Sequence, residues 1–514
     1  MERKPENSRK VVLVYPRFPE SLPALSLAMG PFYVGSYLVS QGYNVTLLDA
    51  NNFKHDKEFF DTLRAELSSA FAVGLSVMTG QIPDALEISR CVKQLNPSVP
   101  IVWGGVHPSL FPEQTANCKY VDFAVHGEGE ITMFELLKAL DGQLELEQVR
   151  GVAFKSNQGD KVIVTGEREF ADFNELPPVR WELLEDIKPG SKLKLSEIAK
   201  LTLSGIYLQT SRGCPHRCSF CINSVLKNSY RERRSDLVLK DIEKIIESGV
   251  DKIWIMDEIF FANKKRVTEI LDRIEKKGLK FKWFGDIRAD YLNLRHINDE
   301  FLLRVKQSGC EIVGIGAESG SPRILKMLTK DITVEDTLNA ARALNKAGIK
   351  ANFSFMTGLP GEEEGDILQT LQLIEGITEI DTSLSFRILG PQVYRPYPGS
   401  ELYSECLKQG MKEPATLEEW ASSPYIKGET LGKAITNPDA YPWIKHPSEF
   451  INNVVFYGSL SGIRLRYPLI TKFLRKIASL RCKKLYFKYP VERHAYNFMM
   501  KTGAYKLLRV KSVL

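Results

Sequence analysis

Short runs of apolar, β-branched residues recur along this chain at intervals that leave room for one helix between neighbours, and they do so in two separate series. In the first, strand patterns at 11–15, 44–48, 72–77, 101–103 and 122–125 alternate with helical patterns at 32–41, 57–69, 84–95 and 131–140. Strands this uniformly apolar bury both faces, and intervening helices make the crossovers that parallel pairing needs. An α/β doubly wound sheet over residues 10–145 is the expected result. Ligands of such sheets sit beyond the carboxyl ends of the strands, where the glycine-bearing loops of this chain fall.

Residues 146–200 break the alternation. Apolar runs flank Asn157-Gln158-Gly159-Asp160, which predicts a hairpin over 149–164, and the Leu176-Pro177-Pro178 stretch with its charged continuation reads as a linker. The second series, over 201–400, has strand patterns at 206–210, 252–256, 282–284, 312–316, 351–355 and 383–388, with helices such as 237–247 and 334–347. Six strand–helix steps predict a partial (β/α)6 barrel with its chemistry at the carboxyl ends of the strands. Residues 401–514 are aromatic, basic and mostly helical in pattern, and form an accessory region.

Five of the eight cysteines, Cys91, Cys118, Cys310, Cys406 and Cys482, stand alone and read as small buried hydrophobes or inert thiols. The other three, Cys214, Cys218 and Cys221, share one loop after the first barrel strand. Three soft thiolates suit iron, and a four-iron cube held at three corners keeps one iron open for another ligand. A structural zinc wants four ligands, and His216, inside the longer gap, is poorly placed to be the fourth.

The spacing C-x3-C-x2-C after a strand resembles the signature of the radical S-adenosylmethionine (radical SAM) superfamily. That resemblance implies a 4Fe-4S cluster on the three cysteines and S-adenosylmethionine on the open iron, cleaved to a 5′-deoxyadenosyl radical. It also implies that Phe220 packs on adenine and that Asp257 and Glu258, ending the second strand, meet the methionine amino group. Arg288 after the third strand and Glu318 and Ser319 after the fourth would complete the cofactor contacts, with 355–361 ending the fifth. Taken singly, a carboxylate at a strand end is as well read as a helix cap, and a glycine as a turn. Tyr394 or Arg395 would reach substrate.

The first sheet lacks a G-x-G-x-x-G dinucleotide fingerprint and a G-x-x-x-x-G-K-[ST] phosphate loop. Its strand ends instead carry Ser76 and Thr79, Gly104, Gly105 and His107, and Gly127, Glu128 and Gly129. Ahead of a radical cluster domain, these resemble the Rossmann-like cobalamin-binding domain of a large radical SAM subclass, similar to its class B methyltransferases. The resemblance covers roughly 10–400. The D-x-H-x-x-G motif, whose histidine ligates cobalt, is absent, and the loop 16–30 has no histidine. The expectation is a corrin whose lower face carries no protein imidazole.

The resemblance thus implies a cobalamin-dependent radical SAM enzyme that methylates an unactivated carbon. Ring formation or oxidation without methyl transfer is the alternative, and a non-catalytic corrinoid or cluster carrier or sensor a lesser one. The substrate would be a small or lipid-like molecule, and the electron donor a flavodoxin or ferredoxin.

Charge is unevenly spread. Residues 463–514 hold 14 Lys and Arg against one acid, Glu492, so this tail is +13 and the rest of the chain −7. Apolar and aromatic residues interleave with the cations. Such a segment fits a solvated helix on an acidic body, a reductase-docking face, or a peripheral contact with an anionic membrane surface; nucleic acid is disfavoured. No run approaches the length of a spanning helix, and the polar N-terminus reads as cytoplasmic.

Overall fold

The computed structural model describes residues 9–18, 27–156, 161–185, 193–202, 205–226, 229–293, 296–424, 441–463 and 465–502. The predicted turn 157–160, most of the first glycine-containing loop (19–26), and residues 464 and 503–514 of the tail lie outside them. The chain divides into two units. The first comprises 1–207, 240–251 and 413–430; the second comprises 208–239, 252–412 and 431–514.

The first unit is built on a seven-stranded sheet. Its strands are β1 (Lys10–Tyr15), β2 (Asn44–Asp49), β3 (Ala70–Ser76), β4 (Ile101–Gly104), β5 (Phe123–Val125), β6 (Val152–Lys155) and β7 (Val162–Val164), in the order β2-β1-β3-β4-β5-β6-β7. β1 to β5 are parallel. Val11, Val12, Leu13 and Val14 are all buried, as a strand covered on both faces demands. The covering helices include Met29–Ser40, Asp56–Leu67, Ile82–Leu95 and Gly129–Leu140. The predicted hairpin forms as β6 and β7, and it pairs antiparallel onto β5, extending the sheet. Strand order reverses between β1 and β3, and the crevice of a doubly wound sheet opens at such a point. A short late helix, Leu417–Ser422, also belongs to this unit and packs on Ile82–Leu95.

From β8 (Ile206–Leu208), which spans the boundary at 207, the chain continues through β9 (Ser211–Arg212), β10 (Arg231–Glu232), β11 (Lys252–Ile255), β12 (Lys282–Asp286), β13 (Cys310–Glu318), β14 (Lys350–Thr357) and β15 (Phe386–Val393) of the second unit. Six of these form one sheet in the order β15-β14-β13-β12-β11-β8, each strand beside its predecessor, with parallel pairing from β11 to β15. β9 and β10 form a separate two-strand antiparallel ladder. Helices lie between the main strands as expected. Val334–Ala347 begins at the predicted place because Thr333 and Asp336 satisfy each other's backbone N–H groups. Beyond β15, the helix Ser448–Ser461 lies on that strand, and Pro468–Cys482 packs against it.

Candidate active site

The loop with the three cysteines follows β8 and β9 and is fastened at several points. Ser219 N–H donates to the Leu328 carbonyl at 3.0 Å and its hydroxyl to the Met327 carbonyl at 2.9 Å, while the Ser219 carbonyl accepts from Leu402 N–H. Ser224 Oγ donates to the Cys218 and Cys221 carbonyls at 3.0 and 2.6 Å. Cys218 is buried and Cys214 and Cys221 are half-buried, and all three are free thiols. Burial pushes the Cys214 and Cys218 thiols up; the Lys330 and Arg288 cations oppose the rise at Cys218. Thiolate ligation would therefore release protons on assembly. Among the described residues no three His, Cys, Asp or Glu side chains converge as a single-ion shell would. A cube takes its thiolates at separate corners, so this donor set fits a cluster better than one zinc ion. His216 is spent elsewhere, its Nε2 2.8 Å from Tyr291 Oη.

Beside the loop is a buried ion pair. Lys330 Nζ donates to Glu318 Oε1 at 2.9 Å and lies 5.9 Å from the Phe220 ring centre. Burial alone would lower the Lys330 ammonium, but Glu318 and Cys218 outweigh it and hold it above its ordinary value. Glu318 reaches this position through an irregularity in the β13–β14 register and a φ of 62°. A Cβ at 316 would press on the Glu318 carboxylate and the Lys330 ammonium, so the glycine there leaves the pair its room. Arg288 secures the turn that carries Lys330. Its Nη2 donates to the Lys330 carbonyl at 2.6 Å and its Nε to Asp290 at 2.9 Å. The flanking Thr329 and Asp331 both have positive φ, so that turn is strained and needs the clamp.

Glu258 presents Oε2 as a buried acceptor without a partner. Burial pushes its carboxyl up to about 7, with the Asp257 carboxylate adding to the rise and the Gly213 N–H opposing it. An orphaned carboxylate oxygen beside the cluster loop fits the ammonium of a bound amino acid moiety. Asp286, at the end of β12, is pushed up to about 6 by burial and by Asp257.

Three predicted cofactor contacts are enclosed rather than presented. Asp257 is buried, and both its oxygens accept from Thr210 and Ser211: the backbone N–H groups at 2.6 and 2.9 Å, and both hydroxyls. It fixes the start of the cluster loop. Ser319 Oγ lies 3.0 Å from Thr370 Oγ1 and accepts from Ser321 N–H at 3.1 Å, so it is consumed in its own turn. The third is His107 in the first unit, fully buried against the rings of Phe111 and Trp420, with Nδ1 3.3 Å from Thr79 Oγ1. Burial lowers its imidazole to about 3.

The remaining predicted residues of the first unit do line the carboxyl ends of β3, β4 and β5. Ser76 ends β3, and Gly104 ends β4. Gly105 has φ 96°, and a Cβ there would sit 2.9 Å from Val77 N, so its role is close packing of the β3 and β4 loops. Gly127 faces open space, since a Cβ there would meet nothing within 4 Å, and its N–H donates to Ser109 Oγ at 3.0 Å. Glu128 accepts from Ala171 N–H at 3.2 Å, and Gly129 opens its helix against Val34. His126, which no sequence motif singles out, is buried at the end of β5. Both His107 and His126 are buried, and the backbone and small side chains of this rim fit a flat ligand. Tyr394 is buried beyond β15, with its N–H donating to the Thr357 carbonyl at 2.8 Å, and Arg395 is exposed.

The radical SAM superfamily model matches residues 208–374, and the B12 binding domain model matches 24–137. A protein of Pyrococcus horikoshii named as an uncharacterized methyltransferase is 30% identical over 412 residues, covering 78% of this chain and 84% of that one. The anaerobic magnesium-protoporphyrin IX monomethyl ester cyclase of Rubrivivax gelatinosus is 25% identical over 488 residues, covering 90% and 79%. Among solved structures, the cobalamin-dependent S-adenosylmethionine radical enzyme OxsB with aqua-cobalamin bound superposes with a TM-score of 0.68 at 21% identity, covering 96% of this chain and 75% of that one; at that identity the likeness is one of fold.

Proposed function

The chain belongs to the radical SAM family whose members carry an N-terminal B12-binding domain, and from that premise we propose that it transfers a methyl group to an unactivated carbon. When bound, the 4Fe-4S cluster, S-adenosylmethionine and cobalamin of this family supply hydrogen abstraction by a 5′-deoxyadenosyl radical and a transferable methyl group.

The chain's own residues bind and orient. Cys214, Cys218 and Cys221 would hold three corners of the cluster. Glu258 would accept from the methionine ammonium through its orphaned Oε2. Phe220 would give adenine an apolar face, and the Lys330–Glu318 pair would set the charge beside it. Asp257, Arg288 and Ser319 act one step back, as positioning residues that fix the loops carrying these groups. Ser76, Gly104 and Gly127 would receive the corrin and its tail at the first sheet's carboxyl rim.

The observation that carries methyl transfer is the 30% identity, over most of both chains, to the protein named as a methyltransferase. The cyclase relative supports the second reading, oxidative ring formation with the same cofactors. Anaerobic reconstitution with iron, sulfide and hydroxocobalamin, then S-adenosylmethionine and reductant, separates the two in the presence of candidate substrates. Methyl transfer yields 5′-deoxyadenosine and S-adenosylhomocysteine together, both lost in Cys218→Ala. Deoxyadenosine and a desaturated or cyclised product without S-adenosylhomocysteine would overturn it in favour of the second reading.

A further inference from the structure

The helix Pro468–Cys482 is built the wrong way round for a helix whose outer face meets only water. It seats Thr471, Ala478 and Cys482 inward, all buried. Outward, at spacings of four and seven that keep one face, stand Leu469, Phe473 and Leu480, exposed by 83, 64 and 62%. A surface helix ordinarily shows polar residues there. Lys472 and Lys476 flank this apolar stripe on one side and are exposed.

The following corner continues the same chemistry. Arg481 turns inward, donating to the Lys488 and Tyr489 carbonyls at 2.7 and 3.1 Å and pairing with Glu492 at 3.1 Å. Fastened this way, the corner leaves Tyr486 exposed and Tyr489 77% exposed. The next helix, Val491–Thr502, shows Val491 and Phe498, seven apart and so on one face, both exposed. Exposed apolar residues in this number mark a contact surface on a folded protein.

The cations sort into two sets. Arg475, Arg481, Arg493 and Lys483 are spent on Asp381, Glu492, Glu449 and Glu375 within the unit. The exposed cations beside the apolar stripes are mainly lysines, which lay their stems along apolar surface while the ammonium stays at a polar boundary.

We propose that the outer face of 467–498 docks on an anionic lipid bilayer, with Leu469, Phe473, Leu480, Tyr489 and Phe498 entering the headgroup–acyl boundary and Lys472, Lys476, Lys484 and Lys488 meeting the lipid charges. Charge complementarity commits the occupant. Residues 467–498 carry eight Lys and Arg against the single acid Glu492, a net of +7, whereas the chain outside 463–514 is −7, so an anionic surface attracts this face and repels the rest. Nucleic acid takes cations with aromatic stacking, but Leu469, Leu480 and Val491 have no stacking face to offer. An enzyme transferring methyl groups and one closing rings would dock alike, so this inference stands apart from the choice of reaction.

The test is flotation of the full-length, reconstituted protein with vesicles of equal parts phosphatidylcholine and phosphatidylglycerol, against phosphatidylcholine alone. The protein floats with the anionic vesicles, and high salt weakens the association. Lys472→Gln with Lys476→Gln lowers partitioning about 25-fold, since each interfacial lysine is worth about fivefold. Leu469→Glu with Phe473→Glu abolishes flotation while circular dichroism, melting temperature and cluster absorbance stay unchanged, as expected at exposed positions. Equal behaviour of wild type and variants, or no flotation on anionic vesicles, overturns the proposal. So does sedimentation showing that wild type self-associates without vesicles and that the glutamate variants do not, because the face is then a protein interface.

Discussion

Lys330 and Glu318 form a buried ion pair, 2.9 Å apart, whose components come from a turn and from the end of β13 and meet beside Phe220 and the cluster loop. Removing one partner strands the other charge in a low-dielectric site. Lys330→Met should therefore cost about 3–5 kcal/mol of stability. Lys330→Met with Glu318→Gln should recover a large part of that loss, because no buried charge is left alone. Denaturant midpoints for the two singles and the double measure the coupling. Simple additivity would mean that the pair does not act as a unit.

The same pair shows where sequence reasoning stops. The cysteine loop was legible because its three cysteines lie within eight residues of one another, after a strand whose apolar pattern is plain. Both sheets were legible for a related reason: strands buried on both faces carry uniform apolar runs, and the helices between them keep their own period. Lys330 carried no such signal. Its place depends on a turn with two non-glycine residues at positive φ, held by Arg288 from another strand end, and no local pattern encodes that clamp. Asp257 and Ser319 were legible as polar residues at strand ends, but their direction was not. Hydrogen bonds to Thr210, Ser211 and Thr370, distant in sequence, turn them inward. The hairpin was visible, but its pairing onto β5 was not, because register against a non-neighbouring strand leaves no trace in either segment.

Cys214→Ala, Cys218→Ala and Cys221→Ala should each lose the cluster, read as iron content and visible absorbance after anaerobic reconstitution, with deoxyadenosine formation falling to background. Cys310→Ala is the control. Cys310 is fully buried in β13, and burial drives its thiol far above the range of a metal-binding thiolate. That variant should keep a full cluster and lose only about 1–2 kcal/mol of stability. A cluster that survives Cys221→Ala would displace the three-thiol assignment.

Asp257→Asn separates positioning from direct contact. Asparagine keeps one acceptor oxygen where aspartate satisfies four donors from Thr210 and Ser211. The buried donors left over should cost about 2–4 kcal/mol and loosen the start of the cluster loop. The expected reading is faster loss of the cluster to a chelator, with an unchanged dissociation constant for S-adenosylmethionine in the fraction still loaded. A weakened dissociation constant at full cluster occupancy would instead make Asp257 a direct ligand.

His107 gives the first unit a stability that depends on pH with a definite sign. Enclosure against Phe111 and Trp420 lowers its imidazole to about 3, while the unfolded chain titrates near 6.5. Between those values the unfolded state binds a proton that the folded state refuses, so the contribution of His107 is complete above pH 6.5 and is lost as pH falls towards 3. The limiting slope is about 1.4 kcal/mol per pH unit for one proton. Denaturant titrations from pH 7 to 4, following the first unit through the fluorescence of Trp420 and Trp103, should show this loss. His107→Phe keeps an aromatic ring between Phe111 and Trp420 without a titratable nitrogen, and its curve should be flatter by about one proton. A slope unchanged by that substitution would mean that other groups carry the acid sensitivity and that the imidazole reaches solvent on the folded protein.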